Sequence, residues 1–235
     1  MIDDILRIVE PLIKDKKVMA FVDVFGGSGT VLLNIPIEYK INRVYNDIDK
    51  VLYRTIKAMI DDNERNALLE KLNYAVQSRE LFNEIKNKPY NEWTAFEYLY
   101  MIACSFNANL NSYAIKVNAY KNSDLNIIPK NILNYYHLLK NWNVENLDFR
   151  KLIPKYDSPN LKGGKSYKYS FNIDDIIDLK KILDNIQGYY LLNESSVDFE
   201  EIEKVFGKPT FVKEYINHIT NPKKGEKRSK RRMVY

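Results

Sequence analysis

The stretch FVDVFGGSGTVLLN, residues 21–34, constrains the fold more than any other part of the sequence. A short apolar run rich in β-branched and aromatic residues leads straight into glycines, and TVLLN then opens a helix. Glycines at 27 and 29 let the backbone come within contact distance of a ligand, and the helix start behind them offers unpaired N–H groups. The stretch therefore favours a site for a phosphate or a carboxylate.

A second strand, RVYND at residues 43–47, ends in an acid that stands 20 residues after Gly27. Strand, glycine turn, helix, strand and acid form a βαβ layout in which Asp47 is placed to bond the two hydroxyls of a ribose. The glycine spacing matches neither the dinucleotide pattern GxGxxG nor the P-loop pattern GxxxxGK[ST]. A nucleoside cofactor is one interpretation, and a tight structural turn with a helix-capping Asp47 is the other.

Composition excludes several classes of protein. The chain has 235 residues, 29% of them charged and 45% apolar, and no run of 18 apolar residues, so we expect a globular protein outside the membrane. The N-terminus MIDDILRIVEPL lacks the basic start and cleavage site of a signal peptide, which favours a cytoplasmic location. The one cysteine, Cys104, excludes an internal disulfide, and with only two histidines we expect no bound metal.

The pattern along the chain predicts an α/β fold with a helical insertion. Residues 1–50 and 141–235 carry the strand and helix patterns of the α/β domain, whereas 51–140 are almost wholly helical in pattern. Further strands are predicted at NLDF (146–149), YYLLN (189–193) and TFVKEYI (210–216), with a helix at DFEEIEKVF between the last two.

The net charge of +5 favours an anionic partner. Basic residues concentrate in the C-terminal NPKKGEKRSKRRMVY, where Arg228, Lys230 and Arg231 are candidate contacts to a phosphate backbone. A solvated tail is the alternative interpretation.

At this point the motifs resemble a known family. FVDVFGGSGTVLLN followed by RVYNDIDKVL resembles the cofactor-binding half of Dam-like, D12-class adenine-specific DNA methyltransferases, whose F-x-E/D-P-F-x-G-x-G motif binds S-adenosylmethionine. Asp23, Phe25, Gly27 and Gly29 match that motif, with Gly26 inside it and Val24 in place of its proline.

Two further pairs extend the resemblance over most of the chain. Asn46-Asp47 matches the family's second-strand ND, where the acid holds the cofactor ribose, and Asp148-Phe149 matches its DF pair, which contacts the cofactor adenine. The resemblance implies a Rossmann-like, S-adenosylmethionine-dependent methyltransferase fold with an inserted, mainly helical subdomain. The implied activity is methyl transfer to adenine N6 in double-stranded DNA with base flipping. A partner chain or a homodimer stays open.

The insert carries the family's target-recognition region by position. There the sequence SFNANLNSYAIKVNAYKNS, residues 105–123, interleaves Asn, Tyr and Lys, which suit base edges and phosphates. The candidate contacts are Asn107, Asn109, Lys116, Asn118 and Lys121. A polar loop without ligand is an equal alternative.

The chain departs from the family at the catalytic motif. The family's D/N/S-P-P-Y/F tetrapeptide, which accepts the adenine amine and stacks on the base, does not occur, and neither does its Gly-Lys segment before the first helix. The nearest stand-ins are Asp157 and Pro159 in KYDSPN, with Tyr156, Tyr167 or Tyr169 as the stacking ring. The alternatives are therefore an active methyltransferase with an improvised site and a catalytically inactive relative that binds cofactor or DNA. A nucleotide-binding enzyme of another kind is the third alternative, and a requirement for Mg²⁺ would support it.

Overall fold

The computed structural model describes residues 2–114, 125–156, 173–192, 199–208, 212–216 and 230–234. In these residues the chain is a mixed α/β protein with a small three-stranded parallel sheet. The strands are β1 (Ala20–Asp23), β2 (Asn42–Asn46), β3 (Trp142–Glu145), β4 (Val212–Ile216) and β5 (Lys230–Val234). The helices are α1 (Ile2–Lys14), α2 (Thr30–Asn34), α3 (Lys50–Ile60), α4 (Asp62–Asn73), α5 (Arg79–Asn87), α6 (Ala95–Cys104), α7 (Ile128–Leu139), α8 (Phe149–Tyr156), α9 (Ile173–Asp184) and α10 (Phe199–Phe206).

The parallel sheet has the order β1-β2-β3, with β2 in the middle. Asp23 of β1 lies beside Tyr45 of β2, and Tyr45 lies beside Val144 of β3. All four residues of β1 are buried, as expected for a parallel strand covered on both faces. Because the strands are parallel, their carboxyl ends meet at one edge of the sheet.

The two faces of the sheet pack against different helices. On one face Phe21, Tyr45 and Trp142 join apolar side chains of α1, α2 and α3. On the other face Val22 and Val44 join side chains of α8 and α9. Alternate residues of each strand thus serve opposite layers, which is why Phe21 and Val22 of β1, and Val44 and Tyr45 of β2, are all large and buried.

Helices α3 to α7 follow β2 and precede β3 in the sequence. They have a core of their own around Phe82, Tyr100 and Met101. The sequence sets where several of them begin. Asp49, Asp61 and Ser78 accept backbone N–H groups at the starts of α3, α4 and α5, and Thr94 with Glu97 forms a capping box at α6.

Two of the predicted strands are wrong. The strand assigned to NLDF lies earlier, at Trp142–Glu145, and Phe149 instead begins α8. The Asp148 side chain accepts the Arg150 N–H at the start of that helix, which favours a helix start over a strand at this position. Residues 189–192 form no strand either.

The predicted helix at DFEEIEKVF and strand at TFVKEYI are confirmed as α10 and β4. β4 pairs in antiparallel fashion with β5, so part of the basic C-terminal stretch, including Lys230 and Arg231, forms a strand. No helix in the described ranges is long and apolar enough to cross a membrane.

Candidate functional site

The glycine turn leaves β1 at the edge where the strand ends meet and is fastened to the end of β2. The Gly26 N–H donates to the Asn46 carbonyl over 2.7 Å, and the Gly29 N–H donates to the Gly26 carbonyl over 2.7 Å. Gly27, at φ 52°, and Gly29, at φ 70°, both adopt the left-handed conformation that favours glycine. The turn thereby reverses the chain within four residues and delivers it into α2.

Two aromatic rings form the floor of the turn. Tyr45 and Trp142 stack with centroids 5.9 Å apart, and the Tyr45 hydroxyl donates to the Gly27 carbonyl over 2.7 Å. A Cβ on Gly26 would stand 2.4 Å from the Tyr45 ring, and one on Gly29 would stand 2.8 Å from the Trp142 ring. Packing against these rings therefore explains Gly26 and Gly29 without any ligand.

The Asp47 carboxylate braces the turn. One oxygen accepts the Gly27 N–H over 2.8 Å and the other accepts the Asp49 N–H over 2.8 Å. Burial raises the pKa of Asp47, and these two backbone hydrogen bonds oppose that rise. The capping role falls instead to Asp49, which accepts the Val51 N–H at the start of α3 and the Tyr90 hydroxyl. Asp47 thus has a structural partner on each oxygen, one of them in the glycine turn.

Asn46 ties the three strand ends together, a role that the sequence analysis did not assign to it. Its side-chain amide donates to the carbonyls of Val24 and Leu147, and its carbonyl oxygen accepts the Leu147 N–H. Asn146 adds a bond of 2.6 Å to the Asp47 carbonyl. One sequence feature could have indicated this role. Asn46 and Asp47 are two polar residues at the end of a buried strand, and buried polar side chains need hydrogen-bond partners.

The Asp23 carboxylate, at the end of β1, is the exception in this polar cluster. Asp23 is 1% exposed, and neither of its oxygens has a hydrogen-bond partner among the residues that the structure describes. Burial, and then the charge of Asp47, raises the pKa of Asp23 to about 7. Since a buried acid without partners is unfavourable, Asp23 is the side chain at this edge that most needs a ligand.

Phe25 and Phe149, two of the predicted cofactor contacts, meet beside the turn. Their ring centroids lie 6.1 Å apart at an interplanar angle of 58°. Phe149 is buried, and Asp148 pairs with Arg150, which also bonds Asp175 and Asp178 of α9. The structure therefore brings Phe25 and Phe149 together with the turn, while Asp148 joins an ion-pair network around the start of α8.

The candidate catalytic residues are only partly described. Tyr156 ends α8, and its hydroxyl donates to Glu145 over 2.6 Å. Burial and the Glu145 carboxylate raise the pKa of Tyr156 above its ordinary value. Asp157 and Pro159 lie outside the described residues, and so do Tyr167 and Tyr169. No geometry for a catalytic group follows from these positions.

The candidate nucleic-acid contacts fall on two segments, residues 105–123 and the basic C-terminal stretch. Asn107 and Asn109 lie on a loop after α6, and Lys230 and Arg231 lie on β5. The Asn109 side chain accepts the N–H groups of Asn111 and Ser112 and so shapes the loop. Outside the described residues are Lys116, Asn118, Lys121 and Arg228.

The loop after α6 holds an aromatic residue that the sequence analysis missed. Phe106 is 59% exposed, although large aromatic side chains are usually buried. Three residues of the loop, Asn107, Ala108 and Leu110, have positive φ, which is strained for residues other than glycine. Internal bonds hold this shape, among them the Leu110 N–H donating to the Ser105 hydroxyl.

The comparisons with known proteins add no identification. Neither the protein-family models nor the curated proteins contain a match to this chain.

Within the described ranges, no group of three or more His, Cys, Asp or Glu side chains could hold a metal ion.

We expect Gly26→Ala to destabilise the protein by more than about 3 kcal/mol, because the new methyl group collides with the buried Tyr45 ring and the Asn46 carbonyl. Gly207→Ala is the matched control: Gly207, at φ 80°, has open space around its Cβ position, so only backbone strain of about 1–2 kcal/mol applies. Urea unfolding of both variants measures the difference. Equal losses would contradict the packing explanation.

We also expect Asp23 to make the unligated protein less stable as the pH rises. The folded protein keeps the Asp23 proton up to a pH of about 7, whereas the unfolded chain releases it near pH 4, so the free energy of unfolding falls between these values. Relative to Asp23→Asn, the wild type should lose roughly 2–3 kcal/mol between pH 5 and pH 8. Urea unfolding across this range tests it, and parallel profiles for the two proteins would rule it out.

Proposed function

We propose that the chain binds S-adenosylmethionine at the carboxyl edge of its parallel sheet and methylates adenine N6 in duplex DNA. The observation that carries the proposal is the Asp23 carboxylate, buried without a partner beside the glycine turn. The resemblance to the Dam-like methyltransferases names the cofactor, and the Asp23 environment is the reason to expect a cationic ligand there.

The sheet supports a Rossmann-like fold. Three parallel strands in the order β1-β2-β3, with helices on both faces, correspond to one half of a doubly wound sheet. In such folds the strand order reverses next to β1, and ligands bind outside the carboxyl ends of the strands at that point. The glycine turn and Asp23 lie at the carboxyl end of β1.

The residues at this edge fit the chemical groups of the cofactor. The ammonium group of its amino acid is a cation with N–H donors, which Asp23 lacks among the described residues. Phe25, which is half-buried, offers aromatic surface for the adenine, and the buried Phe149 packs against it. Asp47 already accepts one N–H on each oxygen, but a carboxylate has about four acceptor sites, so it retains capacity for a ribose hydroxyl. When bound, S-adenosylmethionine supplies an electrophilic methyl group.

The loop after α6 supports a nucleic-acid partner. An exposed aromatic ring on a braced loop suits stacking on a base, and Phe106 has that exposure. Basic side chains attach to the same loop: Lys86 donates to the Asn111 carbonyl, and Arg79 lies over the Tyr113 ring with 4.6 Å to its centroid. Together with the net charge of +5, this favours a phosphate backbone as partner.

A second candidate function is cofactor binding without methyl transfer. It is favoured by the absence of the D/N/S-P-P-Y/F tetrapeptide, for which Asp157 and Pro159 would have to substitute. Both candidates share the Asp23 site and differ in whether a bound adenine amine is activated.

Calorimetric titration with S-adenosylmethionine tests the cofactor site. We expect wild-type binding, and roughly 30-fold weaker binding by Asp23→Asn, because a charge-assisted bond worth about 2 kcal/mol is lost. Methylthioadenosine, which lacks the amino-acid group, should bind both proteins equally. Binding should also strengthen as the pH rises through about 7, since the ammonium group then meets an ionised Asp23.

The exposed Asp15→Asn is the matched control and should bind like the wild type. Absence of any binding by the wild type would overturn the proposal. Binding that Asp23→Asn leaves intact would remove Asp23 from the site. Labelled cofactor with adenine-containing duplex then separates the two candidates, because transfer of the label requires an active catalytic group.

For DNA binding, we expect Phe106→Ala to weaken the affinity for duplex DNA by about 10-fold, the equivalent of one lost stacking contact. Tyr74→Ala is the control, because Tyr74 is an even more exposed aromatic residue located between α4 and α5. Fluorescence anisotropy at one fixed salt concentration measures both variants. Equal affinities of Phe106→Ala and the wild type would exclude this loop from the interface.

A further inference from the structure

A separate cavity lies between the glycine turn and the helices α3, α6 and α7. Its volume is about 240 Å³. Most of its lining is apolar and includes Leu33, Leu52, Ile56, Leu99 and Ile132. An apolar ligand of matching shape would gain dispersion contacts with these walls.

The cavity adjoins the candidate cofactor site, because both include the glycine turn, but its apolar lining is its own. Gly27 and Ser28 of the turn contribute to its wall, but the described residues that line it do not include Asp23, Phe25 or Phe149. Asp23 and the two phenylalanines can therefore be tested separately from the cavity. The inference that follows does not rest on the proposed function.

The polar groups in the wall restrict the charge of a ligand. Burial, together with the charges of Asp49 and Asp47, raises the pKa of Tyr98 to about 12. The Tyr98 hydroxyl is thus a neutral hydrogen-bond donor at pH 7, and the same two acids make the surroundings unfavourable for an anion. Asn131 adds an amide to the lining.

The size of the cavity sets the size of the ligand. An apolar protein cavity of about 150 Å³ holds one benzene ring. At about 240 Å³ this cavity has room for two fused rings. We propose that it is a binding site for a small, neutral, bicyclic aromatic molecule, oriented by an edge atom that hydrogen-bonds with the Tyr98 hydroxyl.

Indole is the probe for the test, used with the full chain. We expect millimolar indole to raise the thermal midpoint by about 2–4 °C and to shift the methyl resonances of Ile56, Met59 and Leu99. Indole-3-acetate, which adds a carboxylate to the same rings, should bind at least about 10-fold more weakly because of Asp47 and Asp49.

Two variants fill the cavity, Ile132→Trp from α7 and Ile102→Phe from α6, and each should abolish the indole effect. Leu133→Trp places the same new ring one residue away on the exposed side of α7 and should respond to indole like the wild type. Two filling variants are used so that the test still gives an answer if one of them does not fold.

No midpoint rise and no methyl shifts with indole would overturn the proposal. If a folded filling variant still bound indole like the wild type, indole would have to bind at another place on the protein, and the proposal would fail. Equal affinity for indole and indole-3-acetate would refute the preference of the cavity for a neutral ligand. Titration with S-adenosylmethionine is a separate measurement. A wild-type protein that binds indole but does not bind S-adenosylmethionine would refute only the cofactor site.

Discussion

The hydrogen bond from the Gly27 N–H to the Asp47 carboxylate is the interaction on which the edge of the sheet depends. It connects the exit of β1 to the exit of β2 across 20 residues of sequence and fixes the turn before α2. The other Asp47 oxygen holds the Asp49 N–H, and Asp49 starts α3. A single carboxylate thus determines how the sheet passes into the helices on either side of it.

Two buried acids at the ends of neighbouring strands, Asp23 and Asp47, have opposite circumstances. Asp47 is stabilised by backbone donors that partly offset the effect of burial, whereas Asp23 has burial and the charge of Asp47 acting against it. The difference follows from position, because Asp47 lies beyond its strand where free N–H groups point toward it. Asp23 is the last residue of a strand whose own backbone groups are engaged in the ladder. Sequence alone shows two acids at strand ends and cannot tell which one retains free acceptors.

The sequence predicted the parts of the structure that depend on local patterns. The apolar run before Gly26 and the glycines after it act within a few positions, so the strand–turn–helix unit could be read directly. The cap of α3 could not, because it is Asp49 and not the Asp47 that the pattern suggested. NLDF was misassigned because Leu147, Asp148 and Phe149 are as strand-like in pattern as the true strand WNVE, and a helix cap decided between them. The reason for Gly29 could not be predicted either, because the ring beneath it, Trp142, is supplied by a strand 113 positions later in the sequence.

The position of the helices between neighbouring strands has a consequence for how the chain reaches its fold. β2 and β3 are adjacent in the sheet, yet Asn46 and Leu147 are 101 residues apart, with α3 to α7 between them. The helices can gather around Phe82 and Tyr100 through contacts that are close in sequence, and β1 can pair with β2 early. Pairing with β3 must close a long loop, and contacts of this kind slow folding. We therefore expect the third strand, and with it the Trp142 ring under the glycine turn, to pair late, so that the carboxyl edge of the sheet is completed after the helical layer has formed.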